Sequence, residues 1–377
     1  MPDAVGRTPT SAADAHVGPW SDEHNSASSR TPPAFDVVGV GLNATDTMLV
    51  VPHFPAYGGK VPFLSEQYSP GGQVATAMVA CAKLGLRAKY IGTIGDDERG
   101  RIQMESLLGS GVNLDHVQQR RNCPNQSAYI VIDQSTGERT VFWSRPDCLR
   151  ISPEEITDDQ IACARLLHID GHDTPAVEHA ARIARARGIP VTVDVDTIYP
   201  GFDRVLPLVD YLIASSEFPG RWTRIDDPFE ALAAIQRTGR DARRQGTPQH
   251  PTQPRGAARS CAVTGETQYG MRVAAMTLGA HGALALAEGR YHYSPGFVVD
   301  CLDTTGAGDV FHGAFCYSVL QKMPLAEALE FSNAMAALNC TGTGARGHIA
   351  DLGEVRQLIA CGLRRSRPEI AGRAQGG

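Results

Sequence analysis

DTTGAGDVFHGAF, residues 303–315, decides the reading of this chain. It follows FVVDCL (297–302), which reads as a strand, and it opens a helix: Phe311, Ala314, Phe315, Ser318 and Val319 fall on one face at helical spacing. Gly306, Ala307 and Gly308 carry little or no side chain, so the backbone can approach a ligand there. Their amides and the dipole of the helix start together make a site for an anion, phosphate being the obvious one. Asp309 falls in the first turn beside that site, placed to accept the proton of a hydroxyl attacking phosphorus. A glycine-rich turn with one acid also serves as a plain helix cap, so the rest of the chain has to decide.

Upstream, the pattern alternates. QVATAMVACAKLG (73–85) is helical and AKYIGTIG (88–95) a strand, while RLLHIDGH (165–172), IPVTVDVD (189–196) and DYLIASSE (210–217) are strands separated by amphipathic stretches. That order predicts a parallel sheet covered by helices, with ligands beyond the carboxyl ends of the strands. The chain should enter the fold at FDVVGVGLNATDTML (35–49), after a leader, residues 1–33, too poor in large aliphatics to order itself. Segments 50–69 and 126–144 read as strands outside the main sheet, the second turning at Ser135–Glu138. Residues 240–270, dense in Gly, Pro, Gln and Arg, read as a flexible insertion, and 366–377 as a flexible tail.

A second segment, GGQVATAMVACAKLGLRAKYIGTIGDDERGR (71–101), stands far from the first. The two resemble the N-terminal and C-terminal signatures of the ribokinase, or PfkB, family of carbohydrate kinases, in the right order, and the resemblance runs from about Phe35 to Leu358. LLHIDGHD and LIASSEF look most similar to the ketohexokinase-like branch. The resemblance implies a ribokinase-like three-layer α/β/α sandwich over residues 34–365, with a small β-sheet lid from segments 48–70 and 120–145. It implies transfer of the γ-phosphate of ATP to a hydroxyl of a small sugar, a ketose or another furanose form. Gly306, Ala307 and Gly308 would stabilise the phosphoryl group and Asp309 would be the base.

Carried over residue by residue, the acceptor site would comprise Asn43, Asp46, Gly71, Gly72, Gln73 and Asp170. The nucleotide would meet Thr277, Leu278, Gly279 and Gly282 of TLGAHG, with Ser216, Gly308 and Asn333. Mg²⁺ would be approached by Glu217 through water, although Ala214 stands where many members have an Asn. Asp303 and Thr305, with the loop Gly342–Gly347, would hold a monovalent cation such as K⁺, whose ligands in such sites are usually backbone carbonyls. His168 and His172 do not make a metal site, because four residues apart in a strand they share no helix face. Lys60 and Arg139 put positive charge on the lid, where an anionic acceptor would meet it.

Composition sets the outer bounds. A formal net charge of −6, with 42% hydrophobic and 20% charged residues, describes a globular chain without the basic field that nucleic acid or an anionic membrane demands. Nine cysteines without a CxxC pair suggest neither a zinc site nor a dense disulfide framework, and no stretch has membrane-spanning length, which together predict a cytoplasmic protein. A homodimer through the lid strands is the expected assembly. The competing readings are a nucleoside kinase on the same fold and a catalytically silent sugar-binding regulator; retention of Asp309 speaks against the latter.

Overall fold

In the computed structural model, which describes residues 33–136, 139–244 and 271–375, the apolar runs of the sequence become a central eight-stranded sheet. Six strands run parallel, in the order Ala88–Ile91, Phe35–Val40, Ala164–Ile169, Val191–Val195, Tyr211–Ala214 and Val273–Thr277. The antiparallel strands Ala283–Ala287 and Arg290–Ser294 complete it. Parallel pairing needs a crossover between strands, and helices supply it. Because successive side chains alternate, one strand feeds both helix layers. Val38, Val40, Leu167 and Ile169 pack with Val177 and Ala180 of the helix Thr174–Ala186 and with Leu232 and Ile235 of the helix Pro228–Arg244. Val37 and Leu166 pack with Val74 and Met78 of the helix Gln73–Lys83 and with Val310 and Ala314 of the helix Ala307–Leu320. The result is the three-layer α/β/α arrangement expected from the sequence.

The lid is a separate four-stranded sheet in the order Ser65–Gly71, Ala44–Val51, Ser127–Asp133, Arg139–Ser144. Its boundaries differ from those expected. The first lid strand begins at Ala44, residues 52–64 hold no strand, and Gln118–Arg120 pairs instead with Thr93–Gly95. Register assigns the faces. Asp46 lies opposite Ser69, Met48 opposite Ile130, and Arg139, Val141 and Trp143 lie opposite Ile132, Ile130 and Ala128. These side chains share the inner face, where Ser69 Oγ accepts the Ala345 N–H at 3.1 Å. Tyr68, Thr47, Tyr129 and Phe142 form one row on the outer face.

A disulfide between Cys123 and Cys148 brackets the outer lid hairpin, a cross-link that cysteine spacing gave no reason to foresee. Of FVVDCL only Phe297 is in a strand, Gly296–Phe297, which pairs with Arg364–Arg365; beyond it the chain is irregular as far as the helix at Ala307. The expected flexible tail contains the helix Pro368–Gln375, because Ile370 is buried and Arg373 pairs with Asp227 at 2.6 Å while lying over the Phe229 ring. The helix Pro228–Arg244 extends into the expected insertion. The remainder of that insertion, the leader as far as residue 32 and part of the turn at Ser135–Glu138 lie outside the described residues. No helix among the described residues is long and apolar enough to cross a membrane.

Candidate active site

The anion turn is built by close contact. Gly306 has φ 71°, and a Cβ there would lie 2.1 Å from the Ala345 carbonyl oxygen, so only glycine fits. The helix Ala307–Leu320 starts immediately after it, and its first amides have no partner within the helix. Asp309 lies in that first turn. Its carboxyl is pushed up to about 8, first by burial and then by the charges of Asp194, Asp196 and Asp46, with Arg346 opposing. Asp194 and Asp196 end the strand of VTVDVD, and the sequence reading passed over both. Their place at the carboxyl end of a parallel strand was the available signal. Burial works against Asp194 too, but His312, with its Nε2 at 3.1 Å, holds that carboxyl below its ordinary range, helped by His168 and His172.

On the acceptor side, Asp46 sits in the lid strand itself, as its third residue, rather than in a loop before it. It is 8% exposed, and burial raises its carboxyl to about 6. Gly71 lies against it, for a Cβ there would be 3.2 Å from Asp46 Oδ2 and 3.0 Å from the Ala345 methyl. Gly72, at φ 92°, lets the chain pass Asn43, whose Cα would be 2.4 Å from an added Cβ. Asn43 spends both amide hydrogens on Tyr90 Oη and the Thr93 carbonyl, leaving its Oδ1 without a partner, as are the amide oxygens of Gln73 and Gln103. Unpartnered amide oxygens around a glycine loop suit hydroxyl donors.

Asp170 is not brought to this site. It is fully buried, with Oδ2 accepting the Leu42 N–H at 2.7 Å and Oδ1 the His172 N–H at 2.9 Å, so it fixes the loop after the first strand. Two residues that sequence reasoning missed do belong here. Trp143, 68% exposed, stands on the lid's inner face opposite Ala128, two strands from that of Asp46. Arg346 donates to Thr76 Oγ1, Ser106 Oγ and the Gly71 carbonyl at 3.2, 2.6 and 3.3 Å.

On the nucleotide side, Thr277, Leu278, Gly279 and Gly282 form a tight turn after the strand Val273–Thr277, closed by the Leu278 N–H on the Gly282 carbonyl at 2.7 Å. Asn333 is 6% exposed, and its Nδ2 donates to the Ser294 carbonyl and Oγ at 3.1 and 3.0 Å, which props the wall of this turn. Ser216 and Glu217 border an open cavity of about 500 Å³ that neither Asp309 nor Asp46 lines. Glu217, expected to approach Mg²⁺ through water, is solvent-exposed and paired with Arg221.

Two cations were implied. Hard carboxylate oxygens at Asp194, Asp196 and Asp309, the charge of Asp194 helping to raise the other two, fit Mg²⁺. Among the described residues no three acidic, His or Cys side chains form a metal cage. That suits an ion held chiefly by phosphate and water. The monovalent cation does not fit. Asp303 Oδ1 accepts the Thr305 N–H and Oγ–H at 2.9 and 2.8 Å, and Oδ2 accepts the Gly344 N–H at 2.7 Å. The carbonyls of Thr305 and Ala345 both receive the amide of the buried Asn339, at 3.2 and 3.3 Å. Arg139 reaches in from the lid, its Nη1 2.6 Å from Thr304 Oγ1, 3.4 Å from Thr305 Oγ1 and 4.0 Å from Asp303 Oδ1. Lys60, by contrast, lies in the exposed stretch between lid strands.

A mainly parallel α/β sheet with an anion turn, a carboxylate at the turn's helix start and polar groups beside a lid fits the class of phosphoryl-transfer enzymes. A model of the pfkB family carbohydrate kinases matches residues 36–244 and 255–351. The chain belongs to that family and is a sugar kinase that uses ATP. It is 26% identical to a ribokinase of Haemophilus influenzae over 326 residues, covering 84% of this chain and 96% of that one. It is 27% identical to an ATP-dependent ribose-1-phosphate kinase of Halopiger xanaduensis over 317 residues, covering 82% and 93%. The Arabidopsis thaliana ribokinase complexed with ribose and ATP shares the fold at a TM-score of 0.69 and 21% identity, over 87% of this chain and 99% of that one.

Proposed function

We propose that this enzyme moves the γ-phosphoryl group of ATP to a hydroxyl of a small furanose-form sugar, with Asp309 as the base. The observation that carries the reading is the Asp309 carboxylate at the head of the anion turn, its surroundings shared with the acceptor-side Asp46. A loose phosphoryl-transfer transition state asks mainly for positioning and for charge stabilisation on the phosphate oxygens. The turn Gly306–Gly308 offers amides to that charge. Asp46, Asn43 Oδ1 and Gln73 take the sugar hydroxyls, and Trp143 covers the ring. Mg²⁺, approached by Asp194 and Asp196, would neutralise the nucleotide phosphates that extend from Thr277–Gly282.

The exposed outer row Tyr68, Tyr129 and Phe142 supports pairing of lids in a homodimer, and the charge balance supports small-molecule partners rather than nucleic acid or membrane. A cytoplasmic location agrees with the activity, though not with the disulfide.

ATP turnover over a panel of free pentoses, ketoses, sugar phosphates and nucleosides tests the reading. A free sugar should be the best acceptor; turnover confined to nucleosides would replace the acceptor class, and none with any acceptor would overturn the proposal. The base must be ionised to work, and its carboxyl lies at about 8. Hence kcat/KM, which reports the free enzyme, should climb with pH to about 8 and level off above it. A flat profile between pH 6 and 8.5 would remove Asp309 from the rate equation.

A further inference from the structure

We infer that Arg139 and Asn339 replace the monovalent cation beside the anion turn, making the enzyme independent of K⁺. The turn needs positive charge at its back, because the loop that holds it includes the carboxylate of Asp303, 8% exposed and a few ångströms from where phosphate would bind. An ion at this place would be coordinated by that carboxylate and by neighbouring carbonyls. Both kinds of ligand are already engaged with hydrogen-bond donors. Asp303 accepts three internal N–H and O–H groups, and the carbonyls of Thr305 and Ala345 are bridged by a single amide nitrogen, Nδ2 of Asn339. Asn339 is held in that orientation because its Oδ1 accepts the His348 N–H at 3.3 Å and its side chain is fully buried. A carbonyl keeps a second lone pair, yet an added cation there would face N–H dipoles pointing at it.

The charge comes from elsewhere. Arg139 Nη1 lies 4.0 Å from Asp303 Oδ1 and donates to Thr304 Oγ1 at 2.6 Å. A second positive charge beside the guanidinium would be repelled by it, which disfavours K⁺ there. Arg139 shares the lid's inner face with Val141 and Trp143, so this charge arrives with the lid rather than from solution.

The full-length protein with Mg²⁺ and a non-hydrolysable ATP analogue is melted in KCl and in tetramethylammonium chloride of equal ionic strength, and ATP turnover is measured in the same two salts. The wild type should give the same melting temperature and rate in both. The double variant Arg139→Met, Asn339→Ala frees the carbonyls and removes the competing charge. It should then be stabilised by K⁺ over tetramethylammonium and accelerated by it about fivefold or more, the usual lower range for coupling between two sites. Arg139→Met alone, at a side chain 43% exposed, keeps the comparison available if the double variant does not fold. A wild-type protein specifically stabilised or activated by K⁺, or folded variants whose melting ignores it, would overturn the inference. The inference leans on the phosphoryl-transfer reading only for the rate, since the melting comparison stands whether or not any sugar is phosphorylated.

Discussion

Asp309→Asn should lower kcat by about 10²–10⁴-fold while leaving ATP affinity within a few fold, because the change removes a base and almost no binding surface. The same substitution should make the protein more stable. In the fold the carboxyl lies at about 8 against an ordinary 3.8, because burial and then Asp194, Asp196 and Asp46 oppose its ionisation. A carboxyl raised in this way supports the fold fully below 3.8, and that contribution is lost as pH climbs towards 8. Asn keeps the neutral shape at every pH. The melting temperature of the variant should therefore pull away from that of the wild type as pH rises from about 4 to 8 and stay parallel above. Normal turnover in the variant would end the case for Asp309 as base, while melting curves that coincide at every pH would deny the crowding of carboxylates.

Removal of Arg346 should do the opposite, costing stability and acceptor affinity together. Its guanidinium is the positive group set against Asp309 and Asp46, and burial lowers it only to about 10, so it stays charged at neutral pH. It also ties three places together: Thr76 and Ser106 on two helices and the carbonyl of Gly71 in the acceptor loop. Stripping one partner from a buried charge cluster typically costs about 3–5 kcal/mol, and Arg346→Ala should fall in that range by chemical denaturation. The KM for sugar should rise more than that for ATP, because Gly71 belongs to the acceptor side. Arg346→Lys restores charge without the planar fork and should recover part of the stability but little of the KM. Equal loss of both KM values, or none, would leave Arg346 a purely structural residue.

The anion turn and the glycine pair at Gly71 were legible because each is a contiguous segment whose conformation depends on its own residues, glycines next to a helix start. The three layers were legible because fully buried parallel strands write their burial into unbroken Val, Ile, Leu and Ala. What joins these segments was not. Arg346, Trp143 and Asn339 reach the site through crossovers and lid register, and neither is encoded within any window of sequence, whereas Asp194 had its signal in its place at a strand's carboxyl end. Asp170 and Asn333 mark the reverse failure. An Asp after a strand or an Asn in a helix has the chemistry of a ligand contact, but here their polar atoms satisfy backbone groups, a use that residue type alone does not separate from binding. Glu217 lies at the surface, paired with Arg221 one turn later.

The bond between Cys123 and Cys148 closes a ring around the hairpin that carries Arg139 and Trp143, its ends 25 positions apart in the sequence. A flap stapled at its root cannot peel strand by strand. The hairpin is thereby held as one paddle, its arginine and its indole on the same strand and the same face. Closing a loop of that length restricts the unfolded chain by about 3–4 kcal/mol. Reduction would therefore soften the paddle before it disturbed the sheet beneath, so the thiol balance of its surroundings bears on how firmly this enzyme covers its substrate.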